Sequence, residues 1–454
     1  MYENNRQPGQ RPETGGNGEP KMSEFIEKIK AAGIVGAGGA GFPTHMKLDC
    51  KAETLIINAI ECEPLLRTDR YVCETYADSI VKAVQAMKEA VQAEKAVIAI
   101  KEHYTDAVAA LKKAVSGTDI ELYLSESFYP AGDEQNLVFS ITGKTVPTGG
   151  IPLDVGCVVS NVSTALNIAQ ALEGRPVTDK FVTVSGSVAN PVVVSCPIGT
   201  PLNELLKAAG GAEGDCTFIV GGPLMGRITD DLSEPVTKTT GGLLAIPKGH
   251  RLLSKKNESA REATLARAVC CQCSMCTQMC PRNAMGLDVQ PHKAMRAFAS
   301  GNEKLLGSLN GIFSCCDCGL CTYYACNFGL HPSKAMQRVK TALQKDGIKA
   351  VKQVKNSPDP GFSNKRVPTG RLLARLDLTQ YDRPASFAGR VIPDEVRIPL
   401  RMHIGGPDKP VVRPGDSVSR GQVIAVPEGM GAVIHASVCG VVTDVGNEIR
   451  IRRT

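Results

Sequence analysis

Two cysteine runs constrain this chain more than any other feature: Cys270-x2-Cys273-x2-Cys276-x3-Cys280-Pro281 and Cys315-x2-Cys318-x2-Cys321-x4-Cys326. Three thiolates spaced by two residues wrap one corner of an iron–sulfur cubane, and the fourth arrives from elsewhere. In two-cluster ferredoxins that fourth cysteine ligates the other cluster. The expected metal ligands are therefore Cys270, Cys273, Cys276 and Cys326 for one [4Fe–4S] cluster, and Cys315, Cys318, Cys321 and Cys280 for the other. Zinc is the competing reading, because CxxC pairs also build four-thiolate zinc sites. The third cysteine in each run, and Pro281 after the first, favour clusters. The second run departs from the pattern: its last gap is four residues, and Asn327 stands where proline would be. Cys271 and Cys316 are spare neighbours, and Cys316 leaves the register of its run open. Such clusters move single electrons, so an electron carrier or redox enzyme is expected.

At 454 residues the chain has room for about three domains. Eight or so of its 17 cysteines sit in cluster spacing, and no signal-peptide pattern is present, so the expected compartment is the reducing cytosol. The net charge of +6 is spread without a basic block and there is no Trp, which argues against a nucleic-acid partner. No apolar stretch reaches the ~18 residues of a membrane helix; membrane work would go through partners.

Along the chain, residues 1–22 are polar and Gly/Pro-rich and read as a disordered tail. Ser23 reads as the cap of a short helix. Next comes a β-α-β-α-β rhythm: strands over 54–59, 96–100 and 120–124, helices over 74–93 and 106–115. That rhythm predicts a parallel sheet. A second unit follows, with a hairpin over 181–194, a helix over 202–209 and a strand entering the Gly-Pro turn at 219–226. Residues 251–265 read as a connecting helix. The cysteine region then leads into Ser357-Pro-Asp-Pro-Gly361, read as linker. Short strands between Gly turns over 398–454 predict a small flattened barrel resembling biotinyl or lipoyl carriers. Its tip, 427–431, lacks the acceptor lysine of a carrier.

Gly36-Ala-Gly38-Gly39-Ala-Gly41-Phe42-Pro43 satisfies G-x-G-x-x-G, but a helix rather than a strand precedes it. Glycines still let a phosphate or flat ring approach the backbone. Lys47 could pair with the phosphate, and Asn58, Glu61 and Glu63 end the next strand. A tight helix–loop junction that binds nothing is the bland alternative.

The motifs GAGGAGFPTHMK (36–47), NAIECEP (58–64), DEQNLVFSITGK (133–144), PLDVG (152–156) and VVSNVST (158–164) resemble those shared by the NADH-oxidising subunit of respiratory complex I and the RnfC family. The stretch PVTKTTGGLLAIP (235–247) is similar to their SLBB-type β-grasp module. The barrel start HIGGP (403–407) comes late here and early in RnfC subunits. That order, with CCDCGLCTYYAC (315–326), resembles the PduS family of cobalamin reductases from propanediol-utilisation microcompartments.

The resemblance implies an α/β multidomain fold. Its parts are a Rossmann-like FMN/NADH-binding domain (23–178), an SLBB-like β-grasp module (179–250), a two-cluster ferredoxin-like helical domain (251–345), a linker (346–397) and a C-terminal barrel-sandwich hybrid (398–454). It implies FMN held by Gly36, Gly38, Gly39, Gly41, Phe42, Lys47, Asn58, Glu63 and Asn161, with Glu61 and Glu134 as catalytic residues beside the isoalloxazine and nicotinamide. NADH is the implied donor and cobalamin the implied substrate. Implied partners are a corrinoid adenosyltransferase and microcompartment shell or enzymes, in the cytoplasm within a bacterial microcompartment; homo-oligomerisation stays open. No corrinoid motif is visible. His403 and His435 are the candidate cobalt ligands, but a lone histidine is more often structural. The rival readings are an RnfC-like subunit of an ion-translocating NADH:ferredoxin complex and a non-catalytic electron relay.

Overall fold

A computed structural model describes residues 24–257, 261–353 and 357–454. The expected tail over 1–22 and the Ser23 cap lie outside the described residues.

Four parallel strands form the first sheet, in the order Ile120–Ser125, Lys95–Lys101, Thr54–Asn58, Cys157–Asn161. Leu55, Ile56 and Ile57 are fully buried, because helices cover both faces of a parallel sheet. The helix Thr68–Ala90 starts earlier than its apolar stripe predicts and is kinked at Tyr76. Asn58 and Asn161 end neighbouring strands in register. Their side chains thus stand at the carboxyl edge, where open α/β sheets collect ligands.

The second sheet has six strands, in the order Ser386–Arg390, Val192–Pro197, Asp179–Gly186, Gly242–Pro247, Cys216–Val220, Arg227–Thr229. The hairpin read over 181–194 is present and antiparallel. Its outer neighbour Ser386–Arg390 comes from the stretch 346–397, expected as linker. The same stretch pairs Val367–Pro368 with Phe128–Tyr129 and forms the helix Thr369–Leu376, which buries Leu372, Leu373 and Leu376. The linker reading is corrected accordingly. These pieces are short, and the edge strand is mostly exposed, so little local periodicity betrays them. The single helix expected over 251–265 is also corrected. It is two helices, Arg251–Lys256, which buries Leu252 and Leu253, and Glu262–Val269, which buries Glu262 and Ala266.

Short helices carry the cysteines. Met275–Gln278 lies within the first run and holds Cys276, Pro281–Ala284 follows it, and Pro291–Ser300 and Pro332–Lys345 pack behind. The longer gap in the second run has a physical cause. Cys321–Ala325 is a π turn, closed by Cys326 N–H donating to the Cys321 carbonyl at 3.1 Å. A π turn takes in one more residue than an α turn, and such turns cluster at functional sites.

The C-terminal unit is two small sheets. One joins Glu395–Pro399, Glu448–Arg453, Gly440–Val445 and Ser417–Val418; the other joins Lys409–Pro410, Val423–Val426 and Ile434–His435. Ile398, Ile449 and Ile451 share one apolar core with Ile29, Ile34 and Leu48 of the first domain. The barrel therefore sits on the glycine loop rather than apart from it, and Ile404 N–H donates to the Gly41 carbonyl at 3.3 Å.

Candidate flavin cleft and cluster sites

A cleft of about 860 Å³ opens at the carboxyl edge of the parallel sheet. Every cofactor-binding or catalytic residue expected from sequence lines it: Gly36, Gly38, Gly39, Gly41, Phe42, Lys47, Asn58, Glu61, Glu63, Glu134 and Asn161. So do Asp69, Tyr129, Ser163, Lys180, Cys316 and Cys318, which the sequence did not single out for the cleft.

The glycine loop is stapled from behind. Ala37 N–H donates to Thr164 Oγ1 at 2.9 Å, and Lys180 Nζ donates to the Ala37 carbonyl at 3.1 Å. A Cβ on Gly38 would lie 2.8 Å from Asn161 Nδ2, whereas one on Gly39 meets nothing within 4 Å. Gly38 is thus required by close packing, and Gly39 leaves its backbone bare towards the cleft. Asn161 caps the helix Val162–Leu172 through Ser163 N–H and donates to Asp69 Oδ2 at 2.9 Å. A bare glycine backbone beside a capped helix start suits a phosphate and a flat ring, and the cleft volume suits a nucleotide-sized ligand. The residues present fit FMN.

Not every expected residue is free to touch it. Both oxygens of Glu63 accept backbone N–H groups, from Leu224 at 2.8 Å and Met225 at 3.0 Å. Glu63 thereby anchors the Gly-Pro turn of the second sheet, a different use from the cofactor contact expected. Gly222 allows it, since a Cβ there would come within 2.1 Å of the Glu63 carboxylate. Asn58 is similarly committed, donating to the Gly132 carbonyl at 2.9 Å and accepting from Ile60 N–H at 3.0 Å. Lys47 and Glu134 face each other at 3.0 Å, half-exposed.

Deeper in, Glu61 accepts Thr68 N–H at 3.1 Å. Burial, and then the Asp69 carboxylate, push its pKa up to about 8. Burial also raises Asp69, against the pull of Ser163, Asn161 and Lys180. Lys180 is lowered by burial to about 8. This buried acid–base group is the part of the cleft suited to holding protons at neutral pH.

The cysteines fall into two quartets. Cys276, raised by burial to about 12, has Cys326, Cys270 and Cys273 as its thiol neighbours. Cys315 and Cys321 both have Cys280 beside them, and so does Cys318. Cys280 of the first run thus stands among thiols of the second, and Cys326 of the second beside Cys276 of the first, as an exchange of fourth ligands requires; Cys316 also stands beside Cys318 and Cys280. Among the described residues no three Cys, His, Asp or Glu side chains converge as for a single metal ion. The backbone is left-handed at Gln272 (φ 54°), Ser274 (φ 57°), Asp317 (φ 55°) and Gly319 (φ 73°). Loops of that conformation aim successive N–H groups inward, as iron–sulfur sites do. The residues present fit two clusters.

The quartets differ in placement. Cys318 lines the flavin cleft and is buried, as are Cys280 and Cys321. This is the inner quartet. Cys273 of the other is exposed, and that is the outer quartet. Two contacts fix the inner quartet to the cleft. Tyr129 Oη donates to the Cys318 carbonyl at 2.7 Å. Arg282, next but one to Cys280, grips Asp133 with Nε at 2.9 Å and Nη2 at 2.7 Å, both side chains nearly buried. A two-pronged guanidinium–carboxylate pair sets angle as well as distance. His403 and His435 are buried in the barrel and line no part of the cleft. His403 Nε2 meets Asp408 Oδ1 at 3.2 Å, a contact within the barrel.

Comparison with known proteins agrees unit by unit. The Nuo51 FMN-binding domain family matches residues 29–170, the SLBB domain 181–227, the 4Fe-4S dicluster domain 269–350, and the RnfC barrel sandwich hybrid domain 384–452. FMN and two [4Fe–4S] clusters are therefore the cofactors of this architecture. One subunit of the Na(+)-translocating ferredoxin:NAD(+) oxidoreductase complex of Acetobacterium woodii is 35% identical over 60% of this chain and 61% of its own length. Cobalamin reductase PduS of Citrobacter freundii is 39% identical over 92% of this chain and 94% of its own. Its counterpart from Salmonella typhimurium is 40% identical over 94% of this chain and 95% of its own. Matched along nearly its whole length, the chain belongs to the PduS cobalamin reductase family.

Proposed function

We propose that this chain is an NADH-dependent reductase of cobalamin, acting from cob(III)alamin and cob(II)alamin towards cob(I)alamin. Bound FMN would take two electrons from NADH and release them singly, and the clusters would carry them on. One observation carries the reading: Cys318, a candidate cluster ligand, stands on the wall of the cleft that the glycine loop opens. The names of the relatives at 40% and 39% identity supply the acceptor.

The chain's own residues have distinct tasks in this proposal. The loop from Gly36 to Gly41 and Asn161 seat the flavin. Lys47 supplies the cation for its phosphate, and Glu134 holds Lys47 in place. Glu61 and Asp69 keep a proton store at the buried end. Tyr129, Asp133 and Arg282 hold the inner quartet at a fixed distance from the cleft. Cys270, Cys273, Cys276 and Cys326 ligate the outer cluster, and Cys315, Cys318, Cys321 and Cys280 the inner one. A corrinoid adenosyltransferase as partner, and a place in a bacterial microcompartment, belong to the same proposal.

A second reading makes the chain a subunit of an ion-translocating complex, as the Acetobacterium relative is named. Among the described residues no helix is long and apolar enough to cross a membrane, so that role needs membrane partners.

The test is anaerobic. NADH is added to the reconstituted chain with cob(III)alamin while flavin and corrinoid absorbances are followed. Flavin bleaching followed by cobalt reduction is expected. Bleaching without cobalt reduction would favour the second reading, and no flavin signal would leave a bare relay.

A further inference from the structure

Behind the flavin cleft lies a second cavity of about 600 Å³, where the first domain, the six-stranded sheet and the barrel meet. Ser163 and Lys180 line both cavities, so one layer of side chains separates them. Three guanidinium side chains line it (Arg175, Arg390 and Arg420) against a single carboxylate, Asp179. Arg390 Nη2 lies 2.7 Å from Asp179 Oδ1, and Arg420 shares the same carboxylate while also donating to Thr178 Oγ1 at 3.0 Å. Two guanidinium groups on one carboxylate leave a positive charge unmatched. Arg175 reaches Glu173 at the rim. The guanidinium-bearing side chains remain 37% (Arg390), 46% (Arg420) and 60% (Arg175) exposed, open to a ligand.

The rest of the wall is of another kind. Tyr76, at the kink of its helix, and Phe181 present rings 5.7 Å apart. Asn167 and Gln170 also line the cavity. Guanidinium groups recognise phosphate oxygens, aromatic faces stack on flat bases, and side-chain amides read base or ribose edges.

We infer that this second cavity is a binding site for a phosphate-bearing nucleotide, separate from the flavin cleft. Two sources carry that chemistry: the nucleotide tail of a complete corrinoid, or a free adenine nucleotide. The corrinoid source rests on the proposed function; the adenine source does not.

Calorimetric titration of the full chain, loaded with FMN and clusters under anaerobic conditions, separates them. The probes are cyanocobalamin, cobinamide (the corrin without its nucleotide) and ADP. Gln170→Glu puts a carboxylate in the cavity in place of an amide of the same shape, and Arg420→Ala removes a cation. Each should weaken the bound probe at least about tenfold, as for loss of one charge-assisted phosphate contact. Cyanocobalamin binding that cobinamide lacks and both variants weaken assigns the corrinoid tail. ADP binding weakened by both assigns the free nucleotide. If Gln170→Glu alters the affinity of no probe, or none binds, the site is overturned, even where NADH still reduces cobalamin. Conversely, a confirmed site in a chain that never reduces cobalamin would sink the functional reading and leave this one standing.

Discussion

The two cysteine quartets are built on one backbone and set in opposite surroundings. Each loop turns left-handed at the same two places, Gln272 and Ser274 in the outer, Asp317 and Gly319 in the inner. The outer loop exposes Cys273, and Cys271 beside it. The inner loop buries Cys321, and buries Cys318 among Tyr129, Tyr323 and Leu320, with the flavin cleft on its far side. Spacing thus specifies a cluster, and packing specifies its place in an electron path. Under the proposed function the inner quartet would receive electrons from the cleft and the outer one would pass them on.

Breaking one quartet at a time gives the largest effect. Cys318→Ser and Cys273→Ser should each lower iron from about eight to about four atoms per chain and leave FMN bound. In Cys318→Ser, NADH should bleach the flavin but reduce no remaining cluster. In Cys273→Ser, the inner cluster should still be reduced by NADH, as read by electron paramagnetic resonance, while cobalt reduction falls to background. Identical behaviour of the two variants would end the inner–outer order.

The next effect tests what docks the inner quartet. Arg282→Met takes the cation from the nearly buried Asp133 carboxylate and leaves it the Asn136 N–H that it caps. Breaking such a pair costs about 3–5 kcal/mol. The expected result is an earlier urea transition and an altered inner-cluster spectrum, with the outer-cluster spectrum unchanged. An unaltered transition would show that Tyr129 and the surrounding packing hold the quartet alone.

The same contrast explains what could be read without a structure. The cysteine ligands and the glycine loop were legible because their chemistry is local: thiolate spacing and bare backbone are written in consecutive residues. Asp69 and Lys180 were not, since one opens a helix, the other lies in a strand, and only the fold brings both to the cleft. Glu63 reads from sequence as a cofactor contact, but its partner Leu224 lies 161 residues away. The edge strand Ser386–Arg390 escapes a local reading for the same reason, because its partner Val192–Pro197 supplies the pairing its own pattern does not announce.

The buried end of the cleft makes a smaller, pH-dependent test, and one that should leave both quartets alone. Glu61 holds its proton up to about 8 in the folded chain, against an ordinary value of 4.5. The folded state therefore binds more protons than the unfolded state between these values, and stability must fall as pH rises through that window. It is fully present below the ordinary value and lost as pH passes the raised one. Glu61→Gln should flatten the thermal midpoint across that range. A midpoint profile as steep as that of the parent chain would mean that other groups carry the dependence.

The smallest expected effect isolates electrostatics from placement. At equivalent positions the loops carry different side chains. Gln272 Nε2 donates to Cys270 Sγ at 3.1 Å, whereas Asp317 brings a carboxylate 3.7 Å from Cys315 Sγ. Lys340 offsets that charge, binding Asp317 Oδ2 and the Cys315 carbonyl at 2.8 Å each. A donor to a ligand sulfur stabilises the reduced, more negative cluster, and a nearby carboxylate opposes it. Asp317→Asn should raise the inner potential and Gln272→Glu should lower the outer one, each by on the order of 1 kcal/mol per electron, the scale of a half-screened charge pair. Redox titration followed by electron paramagnetic resonance reads both. If burial alone ordered the quartets, neither substitution would move its cluster; if the side chain at this position sets the step between them, the two potentials should approach one another when both changes are combined.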